Sequence, residues 1–422
     1  MRWLLVSWGS HGDLHPFLSL GQALMARGHE VTLVGHPDWR VETGIAGLRF
    51  VSTGEPPRDT FIRDHPEVMS MKWGGLISLH TLVNRAIAPG FDHVMEALLP
   101  EARAHDVMVA HHFAFPAPIA AELARIPWVT VSLAPGIVPS AFSLPGPNFG
   151  RAGNGLIARL RNRLVWSAGK RITRVMVDPV VNRFRARHGL GPVRDAVFGA
   201  HSGVLNLQLY SEHFAPRPPD WSSSIRYAGF CFYDPPGTTA LSPEVEEFLA
   251  QGEPPVLVTL GSTVVQNPGV FFSVAAEALN ALDLRGIFLV GLSANCPVRP
   301  SGTILSLPYA PYGLLMPRAR SVIHQCGVGT LSHALRAGVP SVACPFAFDQ
   351  PNNARRLEGL GVAEVLLRQQ HTALHMGRAL RRLHSGDAPA SARRLGELIR
   401  AENGPGRACE ILEEVFRYNG GL

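Results

Sequence analysis

The chain has 422 residues, of which 46% are hydrophobic and 17% charged. This length exceeds that of one ordinary domain and this composition excludes a disordered chain, so we expect a globular protein with two domains. The five cysteines form no CxxC pair and no metal-ligand spacing, and no apolar run approaches the roughly 20 residues needed to span a bilayer. We therefore expect a cytoplasmic protein, with membrane association left open.

The net charge is +6, and its largest concentration lies at residues 151–187. This stretch, from Arg151 to Arg187, holds ten basic residues and one acid, Asp178. Such a patch fits a membrane surface or an acidic partner, and it also fits a pair of solvated helices. No zinc finger, RNP motif or alternation of basic and aromatic residues occurs, so nucleic acid is excluded as a partner.

The first half of the chain alternates predicted strands and helices. A strand at 2–8 is followed by a loop at 9–15 and by a helix at 16–27, which has proline in its first position and Gly28 as its stop. Further strands are predicted at 30–36, 106–110, 128–133 and, weakly, 204–209.

Proline-rich segments at 215–220 and 234–243 mark the predicted crossing between domains. We therefore predict an N-terminal domain at 1–220, a C-terminal domain at 221–405, and a helix at 406–422 that packs back on the first domain. Strands at 256–260, 286–290 and 303–307, with helices at 271–282 and 314–318, restart the alternation. Two such runs predict an α/β protein with two Rossmann-like, doubly wound domains. Ligands of such sheets bind beyond the carboxyl ends of the strands. We therefore expect the glycine-containing loop at 9–15 and the glycine turn that follows His324 to face a cleft.

Residues 324–353 carry the most specific pattern. A strand ending at His324 leads into a glycine turn, a helix at 331–337, a stop at Gly338-Val339-Pro340 and a second strand at 341–345, after which Asp349-Gln350 opens another helix. The turn presents backbone N–H groups and a helix N-terminus that suit a phosphate, and His324 can donate to the same anion. Asp349 and Gln350 can bind hydroxyl groups. A glycine turn alone indicates only a tight turn and a cap, but a diphosphate site beside a hydroxyl site indicates a nucleotide-sugar.

This pattern resembles the donor signature of the family 1 UDP-/dTDP-sugar glycosyltransferases, which implies the GT-B fold. The resemblance also implies that the domain at 1–220 binds the acceptor and that the domain at 221–405 binds the nucleotide-sugar. The resemblance implies that Asp349 and Gln350 read the sugar hydroxyls. Tyr309, in the segment Leu307-Pro-Tyr-Ala-Pro-Tyr312, would stack on the nucleobase, although a core tyrosine is the alternative. The remaining donor contacts implied are Gly12, Gly261, Ser262, Thr263, His324, Gly327, Val328, Gly329 and Thr330.

Two residues depart from the family pattern. Cys326 stands where bacterial members usually have glycine, and His333 stands where many members have a glutamate that binds ribose. The departures bear on how closely the backbone approaches the phosphate and on how the ribose is held.

The family's reaction needs a base for the acceptor hydroxyl and stabilisation of the leaving diphosphate. No Asp-x-Asp occurs in the sequence, which favours a metal-independent reaction without a cofactor. Nucleophilic displacement at the anomeric carbon would invert its configuration, so we expect an inverting enzyme. Alignment on Gly12 and Pro16 places Asp13 at the position of the family's base. A helix cap is the alternative role for Asp13, and His11 is the reserve base.

His111, Phe113 and Phe142 are the predicted acceptor contacts, and Trp73, Phe115 and Phe149 lie in or next to the same loops. These aromatics suit an apolar acceptor such as a lipid, sterol or polyphenol, or they belong to the core. Segments such as Gly229-Phe-Cys-Phe-Tyr-Asp234 resemble the bacterial rhamnosyltransferases that make rhamnolipids, which implies dTDP-rhamnose, with UDP-glucose as the other donor. A nucleotide-sugar epimerase and a non-catalytic, donor-binding partner of another transferase are the alternative functions.

Overall fold

The computed structural model describes residues 1–55, 64–69, 75–144, 155–291 and 302–418, with side chains to residue 416. Trp73, Phe149 and Arg151 lie outside these ranges. The chain divides into two compact units. The first comprises Met1–Arg58, Lys72–Tyr233 and Asn403–Leu422, and the second comprises Asp59–Met71 and Asp234–Glu402. None of the helices in the described ranges combines the length and the apolar character that crossing a bilayer requires.

The first unit is built on a parallel sheet that has seven strands within the described residues. The strands are β1 (Arg2–Val6), β2 (Glu30–Gly35), β3 (Arg49–Ser52), β4 (Val107–His111), β5 (Trp128–Ser132), β6 (Asn206–Gln208) and β7 (Ile225–Tyr227). Their order is β3-β2-β1-β4-β5-β6-β7, and Trp3 pairs with Val31 of β2 and with Val107 of β4. The order reverses between β1 and β4, so the loops that follow these two strands leave the sheet side by side. This switch point is where doubly wound sheets bind ligands.

Helices cover both faces of this sheet, as expected for parallel strands that are buried on both sides. In chain order they are α1 (His11–Ala26), α2 (Arg40–Ile45), α3 (Leu76–Thr81), α4 (Phe91–Ala104), α5 (Pro116–Ala124), α6 (Leu156–Met176), α7 (Asp178–Arg187) and, at the end of the chain, α16 (Gly404–Tyr418). Short 3₁₀ turns lie at Pro37–Trp39 and Ala88–Gly90, and a π-helical turn lies at Leu82–Ile87.

Helix α16 packs on α1. The Glu413 carboxylate pairs with Arg27 at 3.1 Å and with His29 at 3.0 Å. At the start of the helix, a Cβ on Gly404 would overlap the carbonyl oxygen of Phe230, so only glycine permits this approach. The end of the chain is therefore part of the first unit.

The second unit contains a parallel sheet with six strands in the described ranges. The strands are β8 (Val256–Thr259), β9 (Gly286–Leu289), β10 (Ile304–Leu307), β11 (Ser321–His324), β12 (Ser341–Ala343) and β13 (Ala363–Val365). Their order is β10-β9-β8-β11-β12-β13, which places the switch point between β8 and β11.

The helices of the second unit are α8 (Pro243–Ala250), α9 (Gly261–Val264), α10 (Phe271–Asn280), α11 (Tyr312–Leu315), α12 (Val328–Ala337), α13 (Gln350–Gly359), α14 (Ala373–Ser385) and α15 (Ala388–Ala401), with 3₁₀ turns at Pro66–Met69, Met316–Arg318 and Arg368–Gln370. Gly338 ends α12 with φ +71°, as the predicted stop requires. Helix α15 packs against this end, where a Cβ on Gly396 would lie 2.7 Å from the Cα of Gly338.

The predicted fold class, two doubly wound parallel sheets, is confirmed. Strand β7 joins the first sheet by pairing with β6, so the first unit extends to Tyr233, beyond the predicted boundary at residue 220. The predicted loop at 9–15 is wrong. Helix α1 begins at His11, because Ser10 and Asp13 form a capping box there, and Pro16 lies inside the helix.

Candidate functional site

The glycine turn after β11 places a buried donor at the switch point of the second unit. His324, the last residue of β11, is fully buried, and burial lowers the pKa of its imidazole to about 4. Its Nδ1 accepts a hydrogen bond from the Cys326 N–H at 3.0 Å, so the neutral ring carries its proton on Nε2. This Nε2 is buried and has no hydrogen-bond partner among the described residues. A buried N–H of this kind is costly unless a ligand accepts from it.

Helix α12 begins shortly after His324, with Gly327 as its N-cap and without a side-chain cap. The N–H groups of Val328, Gly329 and Thr330 therefore stand at the positive end of a helix with no acceptor from the cap residue. These are the amides predicted to bind the diphosphate. Together with the His324 Nε2–H they form one set of donors that fits an anion.

Cys326 adopts φ +68°, in the left-handed region that favours glycine. The family's usual glycine at this position is explained by this backbone. The Cys326 side chain is buried, burial raises the pKa of its thiol well above the usual value, and its carbonyl accepts from Asn353 at 2.9 Å.

The turn after β8 meets the glycine turn across the switch point. Gly261 has φ +62°, and a Cβ there would overlap Nε2 of Gln325 and lie 3.1 Å from Oγ1 of Thr330. Ser262 and Thr263 follow Gly261 in the short helix α9. The structure therefore brings the two loops that were predicted to contact phosphate together within one unit.

Asp349 and Gln350 lie at the start of α13, after the neighbouring strand β12, and Asp349 is the N-cap. The Gln350 Oε1 accepts from the backbone N–H groups of Phe346 at 2.9 Å and Ala347 at 3.1 Å, which shapes the loop and leaves the Gln350 amide nitrogen as its donor for a ligand. The Nδ2 of Asn353 donates to the Asp349 carboxylate at 2.7 Å and to the Cys326 carbonyl at 2.9 Å. One amide thus ties the predicted sugar loop to the predicted phosphate loop.

Tyr309, the predicted nucleobase contact, lies beyond β10, and His333, one of the two departures from the family pattern, lies on α12. Tyr309 is 65% exposed, so its side chain is not part of the core, whereas Tyr312 is half-buried and its hydroxyl lies 2.8 Å from the Thr259 hydroxyl. His333 lies against Tyr312, with ring centroids 5.6 Å apart, and its Nδ1 is 3.2 Å from the guanidinium of Arg336. This histidine occupies the position where many family members carry the ribose-binding glutamate.

In the first unit, Asp13 lies at the switch point between β1 and β4. Its Oδ2 accepts from the Ser10 N–H at 2.7 Å and from the Ser10 hydroxyl at 3.0 Å, so the predicted alternative role of helix cap is a real contact. Gly9, with φ +127°, makes room for this carboxylate, since a Cβ there would overlap Oδ2.

The second carboxylate oxygen of Asp13 faces His111, with Oδ1 and Nε2 3.6 Å apart. His111 ends β4 and is buried, and burial lowers its pKa although the charge of Asp13 raises it. Its Nδ1 accepts from the Phe113 N–H at 3.3 Å, so the neutral ring presents Nε2–H toward Asp13. His111 was predicted to contact the acceptor, and the structure places it beside the candidate base.

His11 lies at the start of α1 and is tied to α2. Its Nδ1 is 2.9 Å from Oε2 of Glu42, and His15 Nε2 is 2.7 Å from Oε1 of the same carboxylate. Burial works to raise the pKa of Glu42, but the hydrogen bonds and charges of the two histidines lower it to about 2. Gly12 lies between His11 and Asp13 in the first turn of α1.

The predicted acceptor aromatics differ in their surroundings. Phe113 is half-buried against the core, 4.2 Å from the ring centroid of His112. Phe115 belongs to the core, whereas Phe142 lies under the guanidinium of Arg159 at 4.5 Å.

Three polar residues of these sites were not singled out as contacts from the sequence. Ser10 holds the Asp13 carboxylate, Gln325 packs against Gly261 with its Oε1 buried and unpartnered among the described residues, and Asn353 joins two loops. The spacing Ser-x-x-Asp is a capping signal that identifies the first. The other two depend on contacts between loops that lie apart in sequence.

Comparison with known proteins identifies the family. The chain is 35% identical over 428 aligned residues to the O-mycaminosyltylonolide 6-deoxyallosyltransferase of Streptomyces fradiae, covering 98% of this chain and 97% of that one. The chain belongs to the family 1 glycosyltransferases. The glycosyltransferase family and activity predicted from the donor signature are thereby confirmed.

Other comparisons agree with this assignment. Residues 300–415 match the family described as Erythromycin biosynthesis protein CIII-like, C-terminal domain. A sterol 3-beta-glucosyltransferase of Arabidopsis thaliana is 25% identical, with 96% of this chain aligned to 64% of that protein. The solved structure of the spinosyn rhamnosyltransferase SpnG superposes with a TM-score of 0.70 at 20% identity, covering 98% of this glycosyltransferase and 100% of that chain, which shows a common GT-B fold.

Proposed function

We propose that this glycosyltransferase moves a deoxyhexose, with inversion and without a metal ion, from a dTDP-sugar to a hydroxyl of an apolar, non-polymeric acceptor. The observation that carries the proposal is the buried Nε2–H of His324, which lies beside the uncapped first turn of α12. Donors in this arrangement fit a nucleoside diphosphate.

The dTDP-deoxyhexose is favoured over UDP-glucose by the relatives. The Streptomyces fradiae relative is named a deoxyallosyltransferase, and one SpnG structure holds thymidine diphosphate. The acceptor class rests on the names of the tylonolide and sterol relatives, which favour a macrolactone or a sterol over a flavonoid.

The base in this proposal is Asp13. Ser10 donates twice to Oδ2, so the carboxylate is held in one orientation, and His111 presents Nε2–H toward Oδ1. The carboxylate takes the acceptor proton as the new C–O bond forms at the anomeric carbon and the bond to the diphosphate breaks. His111 is a positioning residue here, because it acts on the carboxylate.

Metal independence is supported by the donor set. The sequence has no Asp-x-Asp motif, and the α12 amides with His324 supply positive charge where the leaving diphosphate develops negative charge. The prediction is that transfer continues at the same rate in EDTA. A rate that falls in EDTA and returns with added Mg²⁺ contradicts this part of the proposal.

Donor choice is tested by thermal shift with dTDP, UDP and GDP. A ligand that binds only the folded protein raises the melting temperature by mass action, so dTDP should give the largest shift. A larger shift with UDP would indicate that the donor is a UDP-sugar and not a dTDP-sugar. Equal shifts with all three nucleotides, or none, would contradict a specific nucleotide-sugar site.

Transfer is tested by supplying dTDP-rhamnose with macrolactone, sterol and flavonoid acceptors and following products by mass spectrometry. Product linkage, read by NMR, reports inversion directly. Epimerised donor formed without acceptor would favour the epimerase alternative, and binding of dTDP without any turnover would favour the non-catalytic one.

We also propose that α6 contacts an anionic lipid surface. Its outward side carries aliphatic side chains, of which Leu160 is 58% and Leu164 63% exposed, while Asn162 and Trp166 are buried on the other side. An ordinary solvated helix presents polar residues outward. Between Leu156 and Met176 the sequence has no acidic residue, which suits an anionic surface and disfavours a second copy of the same basic helix.

Vesicle sedimentation tests this surface. Binding should be stronger to phosphatidylserine vesicles than to phosphatidylcholine vesicles, should weaken in high salt, and should be lost in Leu160→Glu with Leu164→Glu. Leu398→Glu, a half-exposed leucine of the second unit, is the matched control and should bind as the wild type does. Absence of vesicle binding, or a stable dimer that the double variant dissociates, would overturn the lipid assignment.

A further inference from the structure

Two histidines and a glutamate of the first unit form a compact cluster. His11 and His15 are one turn apart on α1, so their side chains share a face, and Glu42 reaches them from α2. One nitrogen of each imidazole and one oxygen of the carboxylate lie within 4.8 Å of one another. Each imidazole contacts a different oxygen of Glu42, at 2.9 and 2.7 Å.

The donor atoms match those of zinc sites. Two imidazole nitrogens and a carboxylate oxygen are a common three-residue set for Zn²⁺, which leaves a fourth position for water. Bonds of about 2.0–2.1 Å in a tetrahedron place ligand atoms about 3.3 Å apart. The two contacts between imidazole and carboxylate are shorter than this, at 2.9 and 2.7 Å, and the nitrogens of the two imidazoles lie within 4.8 Å of each other, so an ion needs only small side-chain shifts.

The surroundings also suit an ion. The three side chains are 51%, 31% and 23% exposed, so an ion has a path from solvent. The ring of His15 packs on Tyr233 with centroids 5.5 Å apart, which restricts its orientation.

We propose that His11, His15 and Glu42 bind a divalent transition-metal ion of the zinc class. The ion joins the first turn of α1 to α2 and replaces the two hydrogen bonds between them. This site shares no residue with the donor contacts of the second unit and was not predicted from the sequence. The inference does not depend on the proposed reaction.

The test uses EDTA-treated and then chelator-free full-length protein. Co²⁺ titration should give one equivalent of tight binding with the visible absorption of a four-coordinate ion, and Zn²⁺ should displace it. Glu42→Gln, which keeps the side-chain shape, and His15→Gln should each weaken Co²⁺ binding by roughly tenfold or more. Zn²⁺ should raise the melting temperature of the wild type and have little effect on these variants.

His65→Gln is the matched control, because His65 also contacts a surface glutamate, Glu67, at 3.3 Å and lies outside the cluster of His11, His15 and Glu42. It should bind Co²⁺ as the wild type does. Melting curves without metal show whether each variant folds. No stoichiometric binding, or equal binding in the wild type and in both ligand variants, would overturn the site.

Discussion

Replacing Asp13 separates its two roles, base and helix cap. The variant Asp13→Asn keeps a side-chain oxygen that can accept from the Ser10 N–H, but its amide cannot take a proton. Asp13→Ala removes both functions. The wild-type carboxylate accepts at 2.7 and 3.0 Å from Ser10, so the two substitutions act on a defined contact.

The expected magnitudes differ for the two roles. Loss of a general base lowers turnover by about 10²–10⁴-fold, and this should occur in both variants. Loss of an N-terminal cap costs about 1 kcal/mol, which lowers the melting temperature of a domain of this size by about 2–4 °C, and this should occur mainly in Asp13→Ala. Donor binding should be unchanged in both, since the predicted donor contacts of highest specificity lie in the second unit.

The assays are steady-state transfer kinetics, dTDP titration and thermal melting. Asp178→Asn is the matched control, because Asp178 also lies in a first helical turn and accepts from the N–H groups of Asp195 and Ala196 at 2.8 and 2.9 Å. It should change stability and leave turnover alone. If Asp13→Asn turns over within about threefold of the wild type, Asp13 is a cap only and the reasoning fails.

Three further predictions concern the second unit. His324→Phe removes the buried Nε2–H and should weaken dTDP binding by about 10–100-fold in calorimetry, since a hydrogen bond to a charged group contributes about 1.5–3 kcal/mol; unchanged affinity would remove His324 from the site. The pKa of His324 in the folded protein, about 4, lies below the usual 6.5, so its contribution to the free energy of unfolding is complete above pH 6.5 and falls by at most about 3 kcal/mol toward pH 4, as the unfolded chain takes up the proton. The melting temperature of His324→Phe should therefore fall less between pH 6.5 and pH 4 than that of the wild type. Gly261→Ala should lower the free energy of unfolding by about 1–2 kcal/mol through backbone strain at φ +62°, and it should weaken dTDP binding by displacing Gln325. Gly396→Ala should lower the stability measured by melting by about 1–3 kcal/mol, because the added methyl group pushes α15 away from Gly338, but dTDP should still bind.

The fold was largely predictable because its strands are short apolar runs between glycine and proline turns. The strand Ser321–His324 is found as predicted, since it is buried on both faces. Helix starts were less predictable. Helix α12 begins at Val328 instead of 331, because the glycines at 327 and 329 are typical of a turn and hide the first helical turn from a reading of the sequence. Helix α1 begins at His11 because of the capping box.

The candidate site was predictable where chemistry is local to one segment. The buried ring of His324 accepts from a residue two positions away, and this short loop contact leaves its Nε2–H for a ligand. The contacts of Glu42 with His11 and of Asp13 with His111 join strands and helices far apart in sequence, so the pattern of residues along the chain does not contain them.

The two hydrogen bonds of Asn353 have a consequence for altering this enzyme. Because one amide spans the turn at Cys326 and the carboxylate of Asp349, the predicted phosphate loop and the predicted sugar loop are structurally coupled, and we expect that neither can be altered independently of the other. We expect that exchanging either loop for that of a relative requires keeping the asparagine and both of its hydrogen-bond acceptors, and that a variant that breaks one contact also shifts the other loop.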